Sequence, residues 1–185
     1  MKEYYELNVA GLSRKLPLCK INNELYIAAF VILGDVELTV KCAGELIGKM
    51  PDHDVLITAE AKGIPLIHEI ARQTGVNDYI VARKASKLYM KDAVSAEVRS
   101  ITTSGVQTLF ISGAEAERLK GKRALIIDDV ISTGESICAV ENLVAKAGGT
   151  VAGKMAILAE GDALTRDDII YLEKLPLFDK NGEAI

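Results

Sequence analysis

The chain has 185 residues, room for one domain with a full hydrophobic core and too few for two ordinary ones. Its 22 basic and 26 acidic side chains leave a net charge of −4, which lacks the basic footprint of a duplex nucleic-acid binder. A hydrophobic share of 49% excludes intrinsic disorder.

The first six residues, Met1-Lys2-Glu3-Tyr4-Tyr5-Glu6, are acidic and have no apolar core, unlike a signal peptide. The longest uncharged apolar run, residues 26–33, is far short of the roughly 20 residues that span a bilayer. Cys19, Cys42 and Cys138 form no pair with metal-ligand spacing and read as reduced, mostly buried thiols, so a cytoplasmic location is expected.

Asp35 is placed to cap a helix whose apolar face is expected to carry Val36, Val40, Ala43 and Ile47. The run Val55-Leu56-Ile57 reads as a buried strand, followed by a helix over 64–73 with Pro65 in its first turn. A second buried strand is read at Tyr79-Ile80-Val81-Ala82. Residues 84–108 then break the alternation. Between Arg83 and Arg99, five basic residues stand against two acidic ones, a local +3 in an acidic chain. This interval is too long for a quiet connection and suits a lid over a polyanion. A third strand, Ala124-Leu125-Ile126-Ile127, leads to a helix with the stripe Ile137, Val140, Leu143, Val144 and Ala147, closed by Gly148-Gly149. A fourth strand covers 151–158. Alternating strands and helices imply an α/β, doubly wound, mainly parallel sheet, whose ligands sit beyond the carboxyl ends of the strands.

The chemistry concentrates in residues 124–136. An apolar strand delivers Asp128 and Asp129 to the sheet edge, and Ser132, Thr133, Gly134, Glu135 and Ser136 then open a helix. The start of a helix suits a phosphate, hydroxyls add donors, and glycine admits close backbone approach. Ionised carboxylates only accept, so they suit ligand hydroxyls or a cation. A phosphate with a nearby vicinal diol, as in a sugar phosphate, satisfies both halves. The patterns of P-loop hydrolases and of nicotinamide-dependent dehydrogenases are absent from the sequence.

The run Ile126-Ile127-Asp128-Asp129-Val130-Ile131-Ser132-Thr133-Gly134-Glu135-Ser136 closely resembles the phosphoribosyl pyrophosphate signature of the type I phosphoribosyltransferases. The resemblance implies that Asp128 and Asp129 hold the ribose hydroxyls and that residues 132–136 cradle the 5-phosphate. Thr58-Ala59-Glu60-Ala61-Lys62-Gly63 resembles the family's pyrophosphate loop, which assigns Ala59, Glu60, Ala61 and Lys62 to that group. Arg83, Lys84 and Lys87 resemble the opening of the family's flexible β-hairpin lid, expected at about 84–108. One phosphoribosyltransferase domain over 1–185 is implied, with a small hood from the N-terminal region and the segment after 158.

The arrangement most resembles the adenine branch of that family. Ser132 stands where the hypoxanthine-guanine branch has an acid. The lid residues 97–103 and the segment Leu158-Ala159-Glu160-Gly161-Asp162 depart from the usual adenine pattern, and the lid looks somewhat more like the xanthine branch. Leu158 and Glu160 are expected in the base pocket, and Glu97 as the general base. The implied reaction makes a nucleoside monophosphate (AMP for adenine) and pyrophosphate, as in purine salvage. Mg²⁺ is expected to be carried mainly by substrate oxygens, with no residue assigned as a metal ligand. A homodimer is expected from the resemblance alone. The alternatives are transfer to xanthine or another base, and a non-catalytic regulator that senses phosphoribosyl pyrophosphate. Residues 1–34 are too short and too poorly basic for the winged helix such a regulator would need.

Overall fold

The computed structural model describes residues 2–99 and 106–185. The chain opens with β1 (Tyr4–Val9), β2 (Leu12–Lys20) and β3 (Tyr26–Ala28), then α1 (Val36–Ile47). There follow β4 (Val55–Ala59), α2 (Gly63–Thr74), β5 (Ile80–Ala82), β6 (Val94–Arg99), β7 (Val106–Ile111) and α3 (Gly113–Leu119). The rest is β8 (Arg123–Ile131), α4 (Glu135–Lys146), β9 (Thr150–Glu160), a 3-10 turn (Gly161–Thr165), β10 (Ile170–Leu175) and β11 (Leu177–Phe178). No helix among the described residues is long and apolar enough to cross a membrane.

The four apolar runs seen in the sequence are strands β4, β5, β8 and β9 of a parallel sheet. Among the described residues its order is β10-β9-β8-β4-β5, and every neighbouring pair is parallel. Side chains alternate along a strand, so each strand feeds two cores. Leu125 and Ile127 of β8 enter one cluster with α1 and α2, whereas Ala124 and Ile126 enter the other with α3 and α4. Both faces of the sheet are thereby covered, the doubly wound arrangement expected. α3 was not expected, although its capping box is written in the sequence. Ser112 accepts from the Glu115 N–H, and the Glu115 carboxylate accepts from the Ser112 N–H.

The apolar face of α1 is a correction. Val36 and Val40 are exposed, and the buried residues are Leu38, Thr39, Cys42, Ala43 and Leu46. Glu37, Lys41 and Glu45 repeat every four residues and mark the solvent side, so the opposite side goes inward. Among the thiols, Cys42 is buried, Cys138 is half-buried, and Cys19 is exposed, against expectation, on the outward side of β2. Asp35 does cap α1, accepting from the Leu38 N–H at 3.1 Å. It also receives the Arg14 guanidinium at 2.6 and 3.1 Å, which holds its carboxyl below the usual range. This ties β2 to α1. Asp35→Ala is expected to cost about 1–2 kcal/mol, seen as a fall of roughly 2–6 °C in a thermal melt.

A second sheet, β1-β2-β3-β11, pairs residues 177–178 at the end of the chain with residues 26–27 near its start. The loop between β3 and α1 thus lies near the carboxyl edge of the parallel sheet, where Phe30 O accepts from Lys62 Nζ at 3.5 Å. β6 and β7 form an antiparallel hairpin with Glu97 opposite Thr108. Ala96, Leu109 and Ile111 are buried, and Lys146 of α4 donates to Ser95 O at 2.7 Å, so the root of the hairpin is docked on α4. The tip of the expected lid, residues 100–105, lies outside the described residues.

Candidate active site

β8 carries the two acids to the sheet edge because residues 124–127, just before them, are uniformly apolar and buried between two helical layers. Asp129 is 3% exposed, and its Oδ2 lies 2.8 Å from Lys62 Nζ as an ion pair. Asp128 accepts from the Asp129 N–H at 2.9 Å. Burial, and next the charge of Asp129, push the Asp128 carboxyl well above the usual carboxylate range. Gly63 opens α2 directly against this pair. A Cβ there would lie 2.2 Å from Thr58 Oγ1 and 3.3 Å from Asp128 Oδ1.

Beyond the acids the chain turns into α4. Gly134 adopts φ +79°, a conformation that favours glycine, and the first helical bond runs from the Cys138 N–H to Gly134 O at 2.8 Å. Asp128, Val130 and residues 131–137 line a concavity of about 90 Å³ at this helix start. A larger cleft of about 310 Å³ adjoins it, since both are lined by Val130 and Ser132. The larger cleft is closed by Ala28, Ala29 and Phe30 from one side and by Lys62, Glu160 and Leu175 from the other. Burial raises the Glu160 carboxyl above its ordinary value, with Lys62 opposing.

The pyrophosphate-loop residues and the start of the hairpin also meet. Glu60 accepts from the Lys84 N–H at 3.0 Å and pairs with Arg83 Nη2 at 3.3 Å. The Lys84 N–H first, and then Arg83, hold its carboxyl below the ordinary range. Arg83 Nη1 also donates to the Tyr89 hydroxyl at 3.1 Å, a contact the sequence did not suggest. Ala59 is buried at the end of β4, Ala61 is exposed, and the peptide between Glu60 and Ala61 is cis. Lys87 is exposed, close enough for its charge to act on Glu60.

Two further expected site residues line neither cavity. Leu158 is fully buried in the core cluster that includes α1 and α2, and does not line the cleft. Glu97 is exposed on β6 and lines neither of the two cavities. Sequence reasoning also missed Arg166, whose Nη1 lies 2.8 Å from the position a Cβ on Gly134 would take. It missed Ala28 and Phe30 on the cleft wall as well.

Residues 36–177 match the family model described as phosphoribosyl transferase domain. The hypoxanthine/guanine phosphoribosyltransferase of Methanotorris igneus is 35% identical over 59% of this chain and 55% of its own length. That of Methanocaldococcus sp. (strain FS406-22) is 32% identical over 63% of this chain and 55% of its own. This chain thus spans about half the length of these two curated relatives. The counterpart in Methanococcus voltae is 32% identical over 71% of this chain and 69% of its own. Among solved structures, the adenine phosphoribosyltransferase of Thermoanaerobacter pseudethanolicus superposes with a TM-score of 0.63 at 24% identity, covering 93% of this chain and 95% of that one. The Leishmania tarentolae adenine enzyme gives 0.62 at 19% identity, covering 94% and 84%.

Proposed function

We propose that this chain, which belongs to the phosphoribosyl transferase domain family, transfers the phosphoribosyl group of phosphoribosyl pyrophosphate to a nitrogen of a purine base, adenine foremost, and releases pyrophosphate. The observation that carries this reading is the pair of adjoining cavities. A small one, lined by Asp128, sits at a helix start, and a larger one is closed by Phe30 and Glu160 and lined by Lys62, the partner of Asp129. A phosphate, a ribose and a flat base joined in that order would span them.

In this reading residues 132–136 receive the 5-phosphate, and Asp128 and Asp129 accept from the ribose hydroxyls. As the bond from C1 to pyrophosphate breaks, positive charge grows on the ribose ring. The ionised acid pair is costly in the free protein, because Asp128 is half-buried, poorly solvated and beside the charge of Asp129. It becomes favourable when that cation develops, and an interaction stronger in the transition state than before it accelerates the step. Lys62, Arg83, Lys84 and Lys87 face the departing pyrophosphate. Its charges would displace the present partners of two of them, Asp129 from Lys62 and Glu60 from Arg83. The hard oxygens of the acid pair fit a Mg²⁺ ion delivered by the substrate, and such an ion, when bound, neutralises charge on the leaving group. Glu97, carried on the hairpin, is the proposed acceptor of the base proton.

Adenine is favoured by acceptors in the larger cleft. The Glu160 carboxyl can accept from an exocyclic amine, and position 132, where the hypoxanthine-guanine branch carries an acid, is a serine. The curated relatives support a second reading, in which a 6-oxopurine is the acceptor. Pyrophosphate release with Mg²⁺, phosphoribosyl pyrophosphate and each of adenine, hypoxanthine, guanine and xanthine tests both. Adenine is expected to give the highest kcat/KM. A higher value for hypoxanthine or guanine would replace the adenine reading, and no release with any base would sink the enzyme.

A further inference from the structure

Arg166 follows the 3-10 turn after β9, in a stretch whose neighbours Asp162, Asp167 and Asp168 give it the look of a solvated acidic loop. Its guanidinium is held from one side. Nε donates to Asp168 Oδ1 and Nη2 to Asp168 Oδ2, both at 2.8 Å, a two-point fork that fixes the plane of the group. The remaining corner, Nη1, fills the space where a side chain at Gly134 would stand.

The fork has deeper support. Asp168 also contacts Lys154 of β9, and Lys154 in turn pairs with Glu141 of α4. Lys154 is 9% exposed. Burial opposes its charge, but the bonds to Asp168 and Glu141 outweigh that and raise its pKa. The four groups form a chain of alternating sign, from Glu141 through Lys154 and Asp168 to Arg166. Its cationic end lies against the loop at the start of α4. Asp168 is shared between two cations, so it does not by itself cancel the charge of Arg166.

We infer that Arg166 is a positioning residue for the 5-phosphate: it packs on Gly134, holds the loop in its anion-receiving form, and adds a formal positive charge beside a site whose other donors are backbone N–H groups and hydroxyls. This deepens the proposed function and rests on it for the identity of the ligand. Nothing in the motif itself requires an arginine thirty-two residues downstream of Gly134. The fold brings it there by returning from β9 across the carboxyl edge of the sheet.

Calorimetric titration with ribose 5-phosphate, and with ribose as the control lacking phosphate, tests the inference without turnover. Arg166→Ala is expected to weaken ribose 5-phosphate about tenfold, equivalent to about 1.4 kcal/mol, and to leave ribose unchanged. In steady state it should raise KM for phosphoribosyl pyrophosphate by a similar factor and leave KM for the base unaltered. Arg166→Lys, which keeps the charge and loses the fork, should recover part of the loss. Asp168→Asn keeps the arginine and frees it, and should weaken binding less than Arg166→Ala. It serves as the decisive variant if Arg166→Ala does not fold. Ribose 5-phosphate affinity within twofold of wild type in a folded Arg166→Ala protein, or in Asp168→Asn and Arg166→Lys together where it does not fold, would overturn the inference. Weakened phosphate binding without turnover on any base would leave the inference standing and defeat the proposed reaction. Turnover with undisturbed phosphate binding would do the reverse.

Discussion

Asp128→Asn combined with Asp129→Asn is expected to lower kcat by about a thousandfold, measured as steady-state pyrophosphate release with the favoured base. Removal of one preorganised charge-stabilising group typically costs about 10²–10³ in kcat, and groups acting as a unit do not add, so the pair is placed at the upper end. Amides can still accept from ribose hydroxyls, so KM for phosphoribosyl pyrophosphate should change far less than kcat. That split separates charge stabilisation from simple binding. Turnover within tenfold of wild type would refute the role of the acid pair.

The pH dependence follows from the same geometry. Asp128 has a raised pKa because it is half-buried, poorly solvated and beside the charge of Asp129. The kcat/KM profile of the wild type should therefore lose activity as pH falls through a value well above the usual carboxylate range. Stability should run the other way. Below the unfolded carboxylate value of about 3.9 both states hold the proton and the site costs nothing. Between that value and the raised one, only the folded state keeps the proton, so stability falls as pH rises. Above it the full cost remains. Asp128→Asn alone should thus raise the melting temperature at pH 8 by about 2–4 °C, roughly 1 kcal/mol for a chain of this size, while slowing the reaction. Opposite signs for stability and activity mark a residue kept for function rather than for folding.

How much of this was legible depends on how local each feature is. The strand, acid pair, Gly134 turn and α4 are contiguous in sequence, and each step has its own signal. The apolar run, the carboxylates, the glycine at φ +79° and the stripe of Ile137, Val140, Leu143 and Val144 stand in order. The face of α1 was misjudged because a helix rich in Val, Leu, Ala and Ile offers several apolar stripes, and only the spacing of Glu37, Lys41 and Glu45 selects among them. The β1-β2-β3-β11 sheet was not legible in local pattern, since it joins residues 26–27 to 177–178; only the family resemblance, through the expected hood, brought these two regions together. Arg166 was hidden for the same reason. Its acidic neighbours gave a correct picture of composition, but its partner Gly134 is set by the path of the chain across the sheet. Leu158 shows the converse limit. The segment was placed at the right edge, yet Leu158 goes into the core while Glu160, two residues on, lines the cleft.

Gly63→Ala is expected to destabilise the protein by about 3 kcal/mol, the upper end of what overpacking a close-packed interior costs. The added methyl would stand 2.2 Å from Thr58 Oγ1, and Thr58 is fully buried at the end of β4. A β-branched side chain in that position has few other rotamers. The strain should therefore pass to the other neighbours of the new methyl, Asp128 Oδ1 and Ile127 O at 3.3 Å. A fall in kcat beyond what the lost stability accounts for is the expected sign that the acid has moved. Removing the obstructing oxygen separates the two effects. In a Thr58→Ala background the same glycine substitution should cost under about 1 kcal/mol, a coupling near 2 kcal/mol in the double-mutant cycle. Chemical denaturation of the four proteins measures that coupling, and a value near zero would mean that Gly63 is not kept small by Thr58. The expectation joins the two halves of the site. The close approach that lets α2 begin against β8 is the same approach that half-buries Asp128, and that poor solvation gives its carboxyl the raised pKa on which the proposed chemistry draws.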